Sequence, residues 1–362
     1  MKPLSGLRII EFDGLGPVTF AGMVLADLGA EVVRLTRSAA AGTAAFSEVG
    51  GEVLHRGRPA VAVNLKDPAD HARVMDLVGA ADAVIEGFRP GVMERLGLGP
   101  EACAAVNPRL VYGRVTGWGQ TGPMAQQVGH DLNYIALSGA LHATGEPDRP
   151  PRPPLNLVGD YGGGAMLVVV GVLAALLEAK ATGRGRVVDA AMTDGSALLM
   201  SLFYALQARG LWSDSRGANL LDGGAPFYRC YTCADGRFVA VGALEPQFYA
   251  ALIAGLDLAA DDAPQFDMAG WPALHARFEA LFATRDRDDW TARFAGTDAC
   301  VTPVLSLAEA PAHPHNRARA TFVGSPVQPA PAPRFDGNSP APAIQPADLS
   351  LDAALTAWTA AV

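Results

Sequence analysis

Residues Leu7–Leu35 read L-R-I-I-E-F-D-G-L-G-P-V-T-F-A-G-M-V-L-A-D-L-G-A-E-V-V-R-L, and this stretch decides the fold class. Leu7 to Phe12 is a short apolar run bounded by glycines, the pattern of a buried strand. From Thr19 to Leu28 the apolar positions recur at helical spacing, and Gly29 closes the helix. Glu31 to Leu35 returns to strand. Outward from this unit the alternation continues, with strands expected at Val61–Leu65, Ala83–Glu86, Arg109–Val115 and Arg186–Ala191, and a helix from Asp67-Pro68 to Val78. Strand–helix alternation of this kind predicts an α/β fold: a Rossmann-like large domain with a mostly parallel sheet covered on both faces. The first turn, Gly14-Leu15-Gly16, lacks the third glycine of a dinucleotide fingerprint, which disfavours a nicotinamide cofactor.

At 362 residues the chain exceeds the usual single core, so two domains are expected. Residues 1–215 form the large domain in this reading, and the glycine-rich residues 216–226 form a linker. Residues 227–325 form a smaller α+β domain, with a hairpin turned at Asp235-Gly236. Seven prolines between Pro326 and Pro346 mark an extended connection. The helix predicted at Asp352–Ala360 carries an apolar stripe, Ala354, Leu355 and Trp358, that must dock. Residues 326–362 are therefore expected to return to the large domain and make it discontinuous.

The net charge of −9 argues against nucleic acid as a partner, and an anionic ligand would need a local basic cluster. Four cysteines are too few for a disulfide scaffold, and the C-x-x-C of Cys230 and Cys233 falls on a predicted strand, whose alternation points the two to opposite faces. The apolar run Ala165–Leu177 falls short of the ~20 residues of a membrane span and reads as a buried helix, so no membrane partner is expected. The chain enters its first strand with no signal-peptide pattern, and a cytoplasmic location is expected.

The chemistry concentrates between Gly129 and Gly164. G-H-D-L-N-Y (Gly129–Tyr134) places His130 between glycine and aspartate, and N-L-V-G-D-Y-G-G-G (Asn156–Gly164) places Asp160 before a long apolar helix. Either residue alone has a structural reading, a packed histidine or an N-cap aspartate. Three glycines in the first turn of a helix weaken it and are most useful where a ligand approaches the backbone. A helix N-terminus there would place the Asp160 N–H to hold a developing oxyanion. Thr193 is expected to cap a helix running to Leu206, and Met192 and Met200 read as packing or as an adaptable apolar surface. Arg37, Lys66, Arg89 and Arg95 all fall at or after carboxyl ends of predicted strands, where ligands bind in open α/β sheets. Four cations in one crevice suit a multiply phosphorylated ligand.

These motifs resemble the α-methylacyl-CoA racemases within the class III CoA-transferase family. The resemblance is carried by P-L-S-G-L-R-I-I-E (Pro3–Glu11), L-A-D-L-G-A-E-V-V-R (Leu25–Arg34), I-E-G-F-R-P-G-V-M-E-R-L-G (Ile85–Gly97), T-G-W-G-Q-T-G-P (Thr116–Pro123), V-D-A-A-M-T-D-G (Val188–Gly195) and the two motifs just quoted. It implies that His130 and Asp160 are two bases, that Glu245 orients His130, and that Asn156 supports Asp160. It implies CoA contacts at Arg37, at Ala62, Val63, Asn64, Leu65 and Lys66, at Ile85, Glu86, Gly87 and Arg89, at Arg95, and at Gly129, Asp131, Leu132, Asn133 and Tyr134. The implied substrate is a 2-methylacyl-CoA thioester, epimerised through an enolate by an interlocked homodimer. CoA belongs to the substrate and no separate cofactor is required. Transferases of the family work through an aspartate resembling Asp160 as nucleophile and usually lack the histidine, so a CoA-transferase is the alternative.

Overall fold

The computed structural model describes residues 2–37, 50–338, 341–344 and 346–359. Six parallel strands form its main sheet: β1 (Arg8–Phe12), β2 (Glu31–Arg37), β3 (Ala60–Val63), β4 (Ala83–Glu86), β5 (Val111–Thr116) and β6 (Val187–Ala191). Their order is β3-β2-β1-β4-β5-β6, the doubly wound arrangement, with the chain reversing direction across the sheet between β1 and β4. Helix α1 (Pro17–Asp27) follows β1, and α2 (Pro68–Ala80) follows β3 with Asp67 accepting the Ala69 N–H at 2.8 Å as its cap.

Two cores form because apolar faces are buried on both sides of this sheet. One holds Ile10, Val33, Val61, Val84 and Tyr112 with α2. The other holds Ile9, Val32, Ile85 and Val111 with α1 and a long helix that begins near residue 157. Polar residues also enter the interior, where Arg58 is fully buried and paired with the equally buried Glu11. Arg34 bonds Asp13 at 3.1 Å and touches the His55 ring at 3.2 Å. Burial raises the Glu11 pKa against the opposing pull of Arg58, and lowers that of His55 to about 4.

The chain divides into two units, and the division differs from the sequence expectation. The first takes Met1–Ala140, Pro154–Ser201 and Pro314–Val362; the second takes Leu141–Pro153 and Leu202–His313. Residues 141–153 join the second unit because the Arg216 guanidinium bonds the carbonyls of His142, Glu146 and Arg149. Residues 216–226 form no free linker, since Asp222 accepts the N–H groups of Gly217, Asn219 and Gly224 and folds the segment on itself. The C-terminal return begins at Pro314 rather than 326, and Arg56 holds it through Gln328 at 2.8 Å and the Pro329 carbonyl at 2.9 Å. The last helix, Leu351–Thr359, buries Ala354 and Trp358 with Leu355 partly covered in the core that holds α2, while Ala360 lies outside the described residues.

The second unit carries an antiparallel sheet of β7 (Tyr228–Thr232), β8 (Phe238–Gly242) and β9 (Val301–Pro303). Tyr231, Val239 and Val241 face an aromatic core with Phe278, Phe282 and Trp290. Cys230 is exposed and Cys233 buried, both as free thiols.

Candidate active site

The switch between β1 and β4 opens beside the turn Gly14-Leu15-Gly16, and Asp160 stands against that turn. Gly16 has φ +70, and a Cβ there would lie 3.0 Å from Asp160 Oδ2. The glycine that resembles part of a broken nucleotide fingerprint therefore makes room for a carboxylate.

Asp160 does not sit at a helix N-cap. It lies within a π-helical segment, Leu157–Ala165, which continues directly into an α-helix, α3 (Met166–Thr182). The wider register appears in the Tyr161 N–H, which reaches the Asn156 carbonyl five residues back at 3.3 Å. Such segments are uncommon and recur at functional sites. With the π turn included, the apolar helix spans residues 157–182, long enough by length and composition to cross a membrane, which corrects the shorter run expected from sequence. In the fold it buries Val168, Val169, Val172, Ala175 and Ala179 in the core it shares with α1.

The triple glycine also has a different use from the one expected. Gly163 and Gly164 are buried, and a Cβ on Gly163 would stand 2.7 Å from the Ser196 nitrogen. A side chain on Gly195 would in turn run into the Gly163 carbonyl. The glycines let the π segment lie backbone-to-backbone on α4 (Met192–Leu199), which ends before a separate helix at Ser201–Ala208. Thr193 is no cap; its hydroxyl donates to the Gly117 carbonyl at 2.8 Å. Met192 is buried against Gly164, where it packs.

Around Asp160 the polar partners are specific. Asn156 Nδ2 donates to Asp160 Oδ2 at 3.2 Å, and the Asp160 N–H donates to Asp131 Oδ1 at 2.7 Å. That amide is therefore occupied and is no free oxyanion donor. Burial raises the Asp160 pKa most; the Asn156 bond lowers it, the Asp131 charge raises it and His130 lowers it. The two expected bases are thus electrostatically coupled. His130 is exposed and precedes the seven-residue helix Asp131–Leu137, with its N–H bonded to Asn133 Oδ1 at 3.0 Å. Below it Tyr134 is buried, donates to the Gly129 carbonyl and meets Trp118 edge-on at 4.8 Å. Its phenol, pushed up to about 12 mainly by burial, is coupled to Asp160 and Arg89.

The other expected positions separate into two kinds. Arg37, Lys66, Arg89 and Arg95 are exposed, and their side chains take no ion-pair or hydrogen-bond partner among the described residues. Arg37 pairs in register with Val63, which brings the ends of β2 and β3 together near Lys66. Ala62, Asn64, Gly87 and Leu132 are also exposed. Val63, Ile85, Glu86, Asp131 and Tyr134 are buried, so their side chains serve the fold of this unit. Glu86 shows this most clearly: it bonds Arg114 at 2.7 Å and the Phe88 N–H at 2.6 Å. Glu245 stands in the second unit as the residue preceding helix Pro246–Gly255.

Gly16, Gly117 and Gly195 join the site only through the fold. Each carries a sequence signal, a glycine inside a motif, but the partner that explains it lies far along the chain.

The profile of CoA-transferase family III matches residues 4–346. The chain is 46% identical over 334 residues to the alpha-methylacyl-CoA racemase of Mus musculus, covering 91% of this chain and 86% of that protein. It is 45% identical over 334 residues to the alpha-methylacyl-CoA racemase of Homo sapiens, with the same coverage of 91% and 86%. Among solved structures, a CAIB/BAIF family protein from Brucella suis shares the fold at TM-score 0.79 and 24% identity, covering 95% of this chain and 96% of that one.

Proposed function

This chain belongs to CoA-transferase family III, and we propose that within it the chain acts as a racemase, interconverting (2R)- and (2S)-2-methylacyl-CoA thioesters. The observation that carries the mechanism is geometric: a half-buried Asp160 takes a bond from Asn156 and is tied by its N–H to Asp131, the residue next to His130. The α-hydrogen of a thioester is weakly acidic, so its removal needs a base near neutrality and a stabilised enolate. Histidine has such a pKa by nature. Burial raises the Asp160 carboxyl above its usual range, in the direction a base for this step needs. One base removes the proton from one face while the conjugate acid of the other delivers a proton to the opposite face.

The enolate oxygen needs a donor other than the Asp160 amide. The Asn133 N–H already donates to the His130 carbonyl at 2.8 Å, so the Asp131 and Leu132 amides, the first two of the helix after His130, are the donors this reading assigns. Arg37, Lys66, Arg89 and Arg95, without a partner among the described residues, would receive the CoA phosphates. The same proposal includes a homodimer in which Glu245 orients His130, with no separate cofactor, nucleic acid or membrane involved, in the cytoplasm. The exposed Met166, Val170 and Leu177 on α3 offer an apolar face that a second copy could cover.

Incubation of either epimer in D2O is expected to label the α-position, and His130→Ala to remove this exchange while CoA still binds. Absence of both exchange and epimerisation would sink the racemase reading for that substrate. CoA transfer between carboxylates with a hydroxylamine-trappable intermediate on Asp160 would install the transferase reading instead.

A further inference from the structure

Asp131 directly follows His130, yet its side chain is directed into the protein. The residue is only 7% exposed, and Oδ1 accepts the Asp160 N–H at 2.7 Å across 29 residues of sequence. Gly159 clears the approach, because a Cβ there would stand 2.6 Å from that oxygen and 3.1 Å from Ile135. The contact is a hydrogen bond between two packed elements far apart in sequence, the short helix after His130 and the π turn that carries Asp160. A π turn has a loosened hydrogen-bond ladder, so an outside acceptor for one of its amides fixes where its side chains point.

We propose that Asp131 is a positioning residue for the proton transfer: its backbone continues from His130 while its carboxylate holds the amide of Asp160, and it thereby fixes the separation of the two bases. The proposal rests on the racemase reading and names a role that reading does not supply. Accepting one amide hydrogen does not require a charge. An asparagine could do it, so the carboxylate has a second effect. Asp131 and His130 are the titratable groups that act on Asp160, Tyr134 is coupled to both carboxylates, and Asn156 is the uncharged partner. The Asp131 charge works in the same direction as burial and keeps the Asp160 proton on to higher pH.

Two variants separate position from charge. Asp131→Ala removes both acceptor and charge, and is expected to lower kcat for epimerisation about 10²-fold with KM changed less than about threefold. Asp131→Asn keeps an oxygen acceptor and should recover at least about tenfold of that loss. In the direction where Asp160 takes the proton, its acid limb should move to lower pH. A readout independent of turnover is carbodiimide modification of Asp160, followed by peptide mass spectrometry across pH, whose midpoint should also fall in Asp131→Asn. An Asp131→Ala enzyme with wild-type kcat, or with a change in KM alone, would overturn the proposal. So would an unmoved modification midpoint in Asp131→Asn, and that arm decides the matter if the alanine variant does not fold. An inactive wild-type protein would instead sink the racemase reading, with the modification midpoint still testing the contact.

Discussion

The seam under Asp160 and the rim at the ends of β2, β3 and β4 are built on opposite principles. At the seam the backbone of the π segment lies on the backbone of α4, and Asp160 is bonded by both Asn156 and Asp131. At the rim four cations are exposed and unpaired among the described residues. Under the proposed function the seam holds a base, and proton transfer tolerates little misplacement of one, a constraint that dense packing there would meet. Recognition of phosphates by long, solvated side chains depends on summed charge, and each contribution is small.

The sharpest way to break this comparison is to add atoms to the seam. Gly195→Val would push a branched side chain into the Gly163 carbonyl and is expected to destabilise the fold by more than about 3 kcal/mol, seen as a lowered Tm or insoluble protein. Wild-type stability in that variant would show that the seam can relax.

A second test addresses the buried polar groups of the same unit. His55 is held neutral, its pKa lowered from 6.5 to about 4 by burial first and then by Arg34 and Arg58. The unfolded chain takes up this proton near pH 6.5 and the folded protein only near pH 4. The stability His55 contributes is therefore complete above pH 6.5 and is lost as pH falls to about 4. One proton gives a slope of at most about 1.4 kcal/mol per pH unit, and His55→Asn should flatten denaturation midpoints measured across that window.

The rim should respond most weakly. Arg89→Ala or Lys66→Ala is expected to raise KM about fivefold each, roughly 1 kcal/mol, with kcat and Tm unchanged and the difference fading in high salt. A collapse of kcat in either variant would place that cation at the reacting centre.

Much of this architecture is legible in the amino-acid sequence. The strands of the main sheet follow from short apolar runs between turn residues, because burial on both faces leaves a local signature. His130 and Asp160 are legible through the motifs around them. What escapes depends on contacts between distant segments. The π register of 157–165, the partner of the triple glycine, and the inward turn of Asp131 all require knowing that α4 and the helix after His130 pack there. The placement of Leu141–Pro153 in the second unit is of the same kind, since it rests on one arginine more than sixty residues away.

The central claim is that two bases act on one carbon from opposite faces. The direct measurement starts from a single epimer of a 2-methylacyl-CoA in D2O and reads label in both epimers at early turnover. Two opposed bases predict deuterium in the inverted product and protium retained in the remaining substrate, with both His130→Ala and Asp160→Asn lowering inversion about 10³-fold. Equal label in both epimers from the first turnovers, or inversion that survives loss of His130, would contradict it.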